Sequence, residues 1–172
     1  LLSRMTPMES RGSLISVGGS ISKGLSPWRT TLVLKGQYTL GRQEMLLKEM
    51  LNAFRLRGLS LSGSASAHPA SWISLTYDVG LDLSRLALEG EQGRLRRDFA
   101  QSLELVLIPG TPWRIELIGD HYYNEIARGM RKNYFLLDLG LVYSPRSRLE
   151  VSLQARNLLN NRVYGYTLLS SL

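Results

Sequence analysis

The chain has no cysteine, which removes disulfides, thiolate metal sites and cysteine nucleophiles from consideration. Histidine is nearly as scarce. His68 and His121 are the only two, too few for a histidine-built metal centre, and no cofactor is expected. Long apolar runs are missing as well. The longest stretches resemble Leu105-Val106-Leu107-Ile108, far short of the roughly 18 residues that make a spanning helix. The six prolines fall at Pro7 and in four short segments, so the stretches between them are free to hydrogen bond. A helical membrane protein is thereby excluded. One membrane class survives, the β-barrel, which hides its apolar residues by alternation.

At 172 residues and 44% hydrophobic content the chain is long enough for one ordered domain. Its net charge of +7 invites a nucleic-acid reading. The basic residues are scattered, however, in small groups at 94–97, 128–132 and Arg146/Arg148. No aromatic-interleaved basic stripe accompanies them, and nucleic acid is not expected as a partner. Catalytic signatures are also wanting. The segment from Gly18 to Gly24 lacks the phosphate-loop spacing and no G-x-S-x-G elbow occurs. A pairing of His121 with Glu116 stays open; one with Asp120 is disfavoured, because adjacent strand residues point to opposite faces. No catalytic residue is assigned, and an enzyme is not expected.

What is present is period two. Ile73, Leu75, Tyr77, Val79, Leu81 and Leu83 alternate with Ser74, Thr76, Asp78, Gly80, Asp82 and Ser84, a strand with one apolar and one small, polar face. The pattern returns in Leu103–Leu107, in Trp113–Leu117, in Phe135–Tyr143 and in Leu149–Ala155. Upstream it runs through Ile15–Ile21, through Leu32–Leu40 and through a segment with Ser60, Ser62, Ser64 and Ser66 on one face. Eight strands are predicted, with a ninth beginning near Tyr164. Short turns are expected near residues 23–27, 68–71, 109–112 and 144–147. Trp28, Trp72, Trp113 and Tyr143 adjoin these turns and should line one rim, the periplasmic one if the sheet spans an outer membrane. Longer polar connections are expected at 41–53, 85–98 and 124–133, with Tyr38, Tyr122 and Tyr134 near that opposite rim. Within the first of them, Leu47, Met50, Leu51 and Phe54 fit either a short amphipathic helix or a bulged strand extension.

Strands of this length suit a tilted bilayer crossing of about 9–11 residues. The fold expected is therefore all-β: an antiparallel up-and-down transmembrane barrel occupying residues 1–172. A soluble β-sandwich binding domain is the rival, since alternation marks any half-buried strand. In a barrel the polar face becomes the lumen wall, and Lys35, Asp78, Asp82, Glu104, Arg114, Glu116, Asp138, Glu150 and Arg156 would line it. The basic groups at 94–97 and 128–132 would then meet phosphates of lipopolysaccharide.

The stretch Leu149-Glu150-Val151-Ser152-Leu153-Gln154-Ala155-Arg156-Asn157-Leu158-Leu159-Asn160-Asn161-Arg162-Val163-Tyr164 resembles the penultimate-strand region of TonB-dependent outer-membrane receptors. In that family an alternating strand ends in an N-L-[LF]-N motif followed by Tyr, here Asn157, Leu158, Leu159, Asn160 and Tyr164. The strand and turn from Tyr134 to Pro145 resemble the same family. The resemblance implies an outer-membrane location in a Gram-negative bacterium and import of a nutrient through a large barrel. It also implies engagement of the TonB complex through a segment outside this chain, and a surface lipoprotein as a further partner. The family's plug and final strand are not seen in the chain, so a fragment of the barrel is expected. A complete eight-stranded barrel, serving as an anchor or narrow pore, also fits the length.

Overall fold

The computed structural model describes residues 12–26, 29–47, 50–127, 130–146 and 149–161. Eight strands follow one another: β1 (Gly12–Leu25), β2 (Thr30–Leu47), β3 (Met50–Ala70), β4 (Ile73–Leu88), β5 (Arg94–Gly110), β6 (Trp113–Ala127), β7 (Met130–Arg146) and β8 (Leu149–Ala155). They form a single antiparallel up-and-down sheet in sequence order. The all-β antiparallel expectation is met. β1 and β8 are its two edges. Trp28 and the ninth strand expected near Tyr164 lie outside the described residues.

Cross-strand partners share a face, so the register assigns every strand residue to one side. Leu34, Gly63 and Val79 stand in one row on the apolar side, and Val33, Ser64 and Asp78 in the next row on the polar side. No apolar residue in the described structure is buried. Ile21 remains 74% exposed and Leu34 64%. There is one layer, without the second sheet that a sandwich packs against its apolar face. Nor is any described helix long and apolar enough to cross a membrane.

Three long strands end alike. Register shifts fall between Ala67 and Ala70, between Leu107 and Gly110, and between Tyr143 and Arg146. The residues inside these bulges are His68-Pro69, Ile108-Pro109 and Ser144-Pro145. Proline has no N–H to give the ladder, so the chain steps past it with one unpaired residue before turning. Among the described residues the turns that follow contain two residues each, Ser71-Trp72 and Thr111-Pro112. Neighbouring hairpins are tied along this rim: Ile108 N donates to the Trp72 carbonyl at 2.7 Å, and Ser144 N to the Pro112 carbonyl at 2.8 Å.

The opposite rim differs from expectation. Instead of long polar connections at 41–53, 85–98 and 124–133, the strands run on: β2 pairs with β3 out to Leu47↔Met50, and β6 with β7 out to Ala127↔Met130. Only residues 89–93 form a longer link, where Gly90 takes a left-handed φ of 94° that glycine adopts without strain. Within the segment 43–51 the described residues, 43–47 and 50–51, are strand, paired without a register shift and without helix.

The rim is oblique to the hydrogen-bonded rows. Ile73, Leu107, Ile115, Leu141 and Leu153 stand opposite one another. Ile73 is the first residue of β4, Ile115 the third of β6 and Leu153 the fifth of β8. The drift is about one residue per strand. With a rise of about 3.3 Å per residue and about 4.8 Å between strands, the strands lean roughly 35° from the normal to the rim.

Candidate functional site

The register gathers the predicted polar residues on one side. Lys35, Asp78, Asp82, Glu104, Arg114, Glu116 and Asp138 all share the face opposite the leucines, and Glu150 follows by alternation with Ser152. Arg156 lies just past β8 and donates to Gln154 Oε1 at 3.4 Å. The β1–β4 part of this face is made of small side chains, Ser16, Ser20, Ser60, Ser62, Ser64 and Gly80 among them. The β4–β8 part carries carboxylates, one of which, Glu116, is 3.8 Å from Arg114. Among the described residues no group of acidic and histidine side chains could hold a metal.

The apolar face forms a band. On β4 it runs unbroken from Ile73 to Leu83, with Tyr77 its one polar group, and on β2 from Leu32 to Leu40. Aromatic side chains mark its lower edge. Trp113 and Tyr143 are directly opposed with ring centroids 4.4 Å apart, and Trp72 sits in the preceding turn, half exposed. At the other edge the register adds the face on which each ring stands. Tyr122 and Tyr134 do border the far rim, but on the polar face, stacked at 5.1 Å. The aromatics of the apolar side there are Tyr38, Phe99, Tyr123 and Phe135.

Beyond the band the two faces exchange character. Arg42, Arg55, Arg57 and Arg85 occupy the continuation of the leucine side, while Phe54, Leu56, Leu86 and Leu88 occupy the continuation of the polar side. This exchange accounts for the misread connections: alternation persists to the strand ends with its sign reversed. The basic groups expected in loops are in strands too. Arg94–Arg97 opens β5, where Arg94 pairs with Glu125 at 3.4 Å and Arg96 with Asp98 at 2.7 Å. Arg131 and Lys132 belong to β7. Residues 128–129 lie outside the described residues.

His121 meets neither carboxylate considered for it. It stands on the apolar face, whereas Asp120 and Glu116 are on the other. Gln101 Nε2 donates to its Nδ1 at 3.1 Å and its Nε2 faces Asn133 Oδ1 at 2.6 Å. Tyr77 Oη completes the chain by donating to Gln101 Oε1 at 2.8 Å. These four residues from β4, β5, β6 and β7 satisfy one another within an otherwise apolar surface. Their partners are far apart in sequence, so no local pattern reveals them.

The N-L-L-N segment is a knotted turn. Asn157 and Asn160 take positive φ values of 52° and 51°, a region asparagine tolerates better than most residues. The Asn157 amide donates to Asp138 Oδ1 at 2.7 Å, and its side chain spans Asn161 through two hydrogen bonds of 3.0 and 3.1 Å. Leu158 N donates to the Leu137 carbonyl at 2.8 Å and Asn161 Nδ2 to that of Phe135. Asp138, predicted to face a lumen, is thus also the anchor of this turn. Tyr164 lies outside the described residues. The chain matches no family model, no curated protein and no solved structure.

Proposed function

We propose that the chain is the wall of an outer-membrane β-barrel, part of a TonB-dependent receptor that imports a nutrient. The observation that carries the membrane reading is a single-layer sheet in which no apolar residue among those described is buried. An uncovered apolar surface of this extent is untenable in water, where burying each Leu, Ile or Val is worth about 1.5–3 kcal/mol. Hydrocarbon supplies the missing contact. The unbroken length of the band on β4, Ile73 to Leu83, matches a tilted crossing of about 9–11 residues. The lean of roughly 35° falls in the range of barrel strands. The Asn157–Asn160 turn, set at the end of β8, supports the receptor family in particular. In this reading Lys35, Asp78, Asp82, Glu104, Arg114, Glu116, Asp138, Glu150 and Arg156 face the lumen, and TonB is engaged by a part of the receptor outside the chain. A small eight-stranded barrel is the second reading, favoured by the strand count alone.

Site-directed spin labels at Leu75, Leu117, Ser74 and Glu116 of the inserted protein test the reading. Oxygen should relax the leucine sites and a water-soluble nickel chelate the other two. Leucine sites shielded from both reagents in a detergent-free soluble protein would remove the barrel and the import function together.

A further inference from the structure

Cross-strand arginines are juxtaposed twice on the apolar side of the sheet. Arg42 stands opposite Arg55, and Arg57 opposite Arg85. Like charges directly opposite one another are destabilising in a sheet. The first pair is compensated within the chain: Glu89 accepts from Arg55 at 2.6 Å and from Arg42 at 3.0 Å. The second pair has no such partner. Among the described residues Arg57, Arg85 and the neighbouring Arg97 make no ion pair or hydrogen bond, and the nearby Glu125 is taken by Arg94. The carboxylates of β4 that come close in sequence, Asp78 and Asp82, point to the other face.

The bare pair also adjoins apolar surface. A shallow groove is lined by Tyr38, Arg57, Leu59, Leu83, Arg85 and Leu95. Arg57 and Arg85 therefore stand in its outer row with Leu95 beside them, and Leu59 and Leu83 in its inner row, at the limit of the band. An anion with one headgroup charge and an acyl tail has this same division. Guanidinium groups bind phosphate through paired, charge-assisted hydrogen bonds. We propose that Arg57 and Arg85, with Arg97 in the adjoining row, bind the phosphate of a phosphorylated membrane lipid whose acyl chains run inward over Leu59 and Leu83. The site rests on the membrane reading above and adds to it a defined lipid contact on the β3–β5 wall.

The test uses the full chain refolded into phosphatidylcholine vesicles doped with a bisphosphorylated lipid A or with the same glycolipid lacking its phosphates. Insertion is read by protease protection, and retained glycolipid by native mass spectrometry after detergent extraction. Retention of the phosphorylated form should fall about tenfold or more in R57Q/R85Q. It should survive in R57K/R85K and in R42Q/E89Q, and in the presence of excess inorganic phosphate. Equal retention by R57Q/R85Q, or of the dephosphorylated glycolipid, would overturn the site while leaving membrane insertion intact. Displacement by inorganic phosphate would make it a small-anion site and overturn the lipid assignment. Failure of every variant to insert would instead remove the membrane reading, and the site with it.

Discussion

The apolar face is built in two ways. Across β2, β3 and β4 it is aliphatic apart from Tyr38 and Tyr77, with Leu34, Gly63 and Val79 in one row and Tyr38, Leu59 and Leu83 closing it above. Across β5, β6 and β7 the same face contains Gln101, His121 and Asn133, joined in a chain with Tyr77 of β4. Both halves obey one rule. Where water is absent a surface either carries no polar group or carries polar groups that satisfy each other. The first half meets the rule by composition, residue by residue. The second meets it only through tertiary pairing, so its four members stand or fall together.

The largest effect should come from breaking the first half. Val79 lies mid-band on β4 with its Cγ1 3.3 Å from where a Cβ on Gly63 would be. Val79→Arg puts an unpaired charge there and should cost about 2–4 kcal/mol in urea unfolding from lipid vesicles. Gly80, the next residue, faces the polar side with open space around a Cβ. Gly80→Arg should cost far less, under about 1 kcal/mol. Equal costs at the two positions would contradict the division of the faces.

In the second half, His121→Leu leaves the Gln101 amide and the Asn133 carbonyl oxygen without partners. A loss of about 1–2 kcal/mol is expected in the same unfolding assay. Replacing Gln101, His121 and Asn133 together by Leu converts the second half into the first. That triple variant should recover most of the loss, because no polar group is then stranded except the Tyr77 hydroxyl. Additive damage from the three substitutions would show that the chain of hydrogen bonds is not a unit.

These halves were not equally legible. The band of β4 can be read from residues 73–84 alone, because alternation is a local signal with period two. The two described turns along the aromatic rim, at 71–72 and 111–112, were legible from the prolines beside them, within one or two residues. The polar chain was not, since Gln101, His121 and Asn133 become neighbours only through the register of three strands. At the far rim a different cause operated. Polar residues at 41–53 and 85–98 suggested long connections, yet alternation runs on past the band, with Arg42, Arg55 and Arg85 on one face and Phe54, Leu86 and Leu88 on the other. Polarity was taken for the end of the strand when it marked the end of the band. Pro69, Pro109 and Pro145 were assigned to turns, and the structure puts them in bulges one step earlier. A prolyl residue shows where a ladder hydrogen bond is lost, without showing whether the chain turns or bulges there.

Outside the band, the Asn157 turn shows what a polar knot is worth in contact with water. Asn157→Gly keeps the positive φ but removes the side-chain bonds to Asn161, whereas Asn157→Ala loses both. The alanine variant should cost about 1–2 kcal/mol and the glycine variant roughly half of that. Hydrogen exchange of the Leu158 and Asn161 amides measures the difference locally. If alanine is tolerated as well as glycine, backbone conformation is not what asparagine supplies here.

The smallest effect concerns the outer limit of the first half, where Glu89 separates Arg42 from Arg55. The hydrogen bond from Arg55, aided by the charges of Arg42 and Arg55, outweighs desolvation and holds the Glu89 carboxyl below its ordinary range. A group whose folded pKa is depressed adds stability above its unfolded value, about 4.3 for glutamate. That contribution disappears as pH falls through the lower folded value, when protonation leaves the two arginines facing each other. The pair is exposed, so salt should weaken the effect. Glu89→Gln should abolish this component of the acid dependence, lowering stability slightly near pH 7 and converging with the unsubstituted protein as Glu89 itself protonates. Unfolding midpoints of the two proteins between about pH 3 and pH 7 at low salt provide the comparison. Identical pH profiles would mean that the Arg42–Arg55 repulsion is relieved by solvent rather than by Glu89. The bare Arg57–Arg85 pair would then need no partner either, which ties the weakest interaction at this rim to the lipid site beside it.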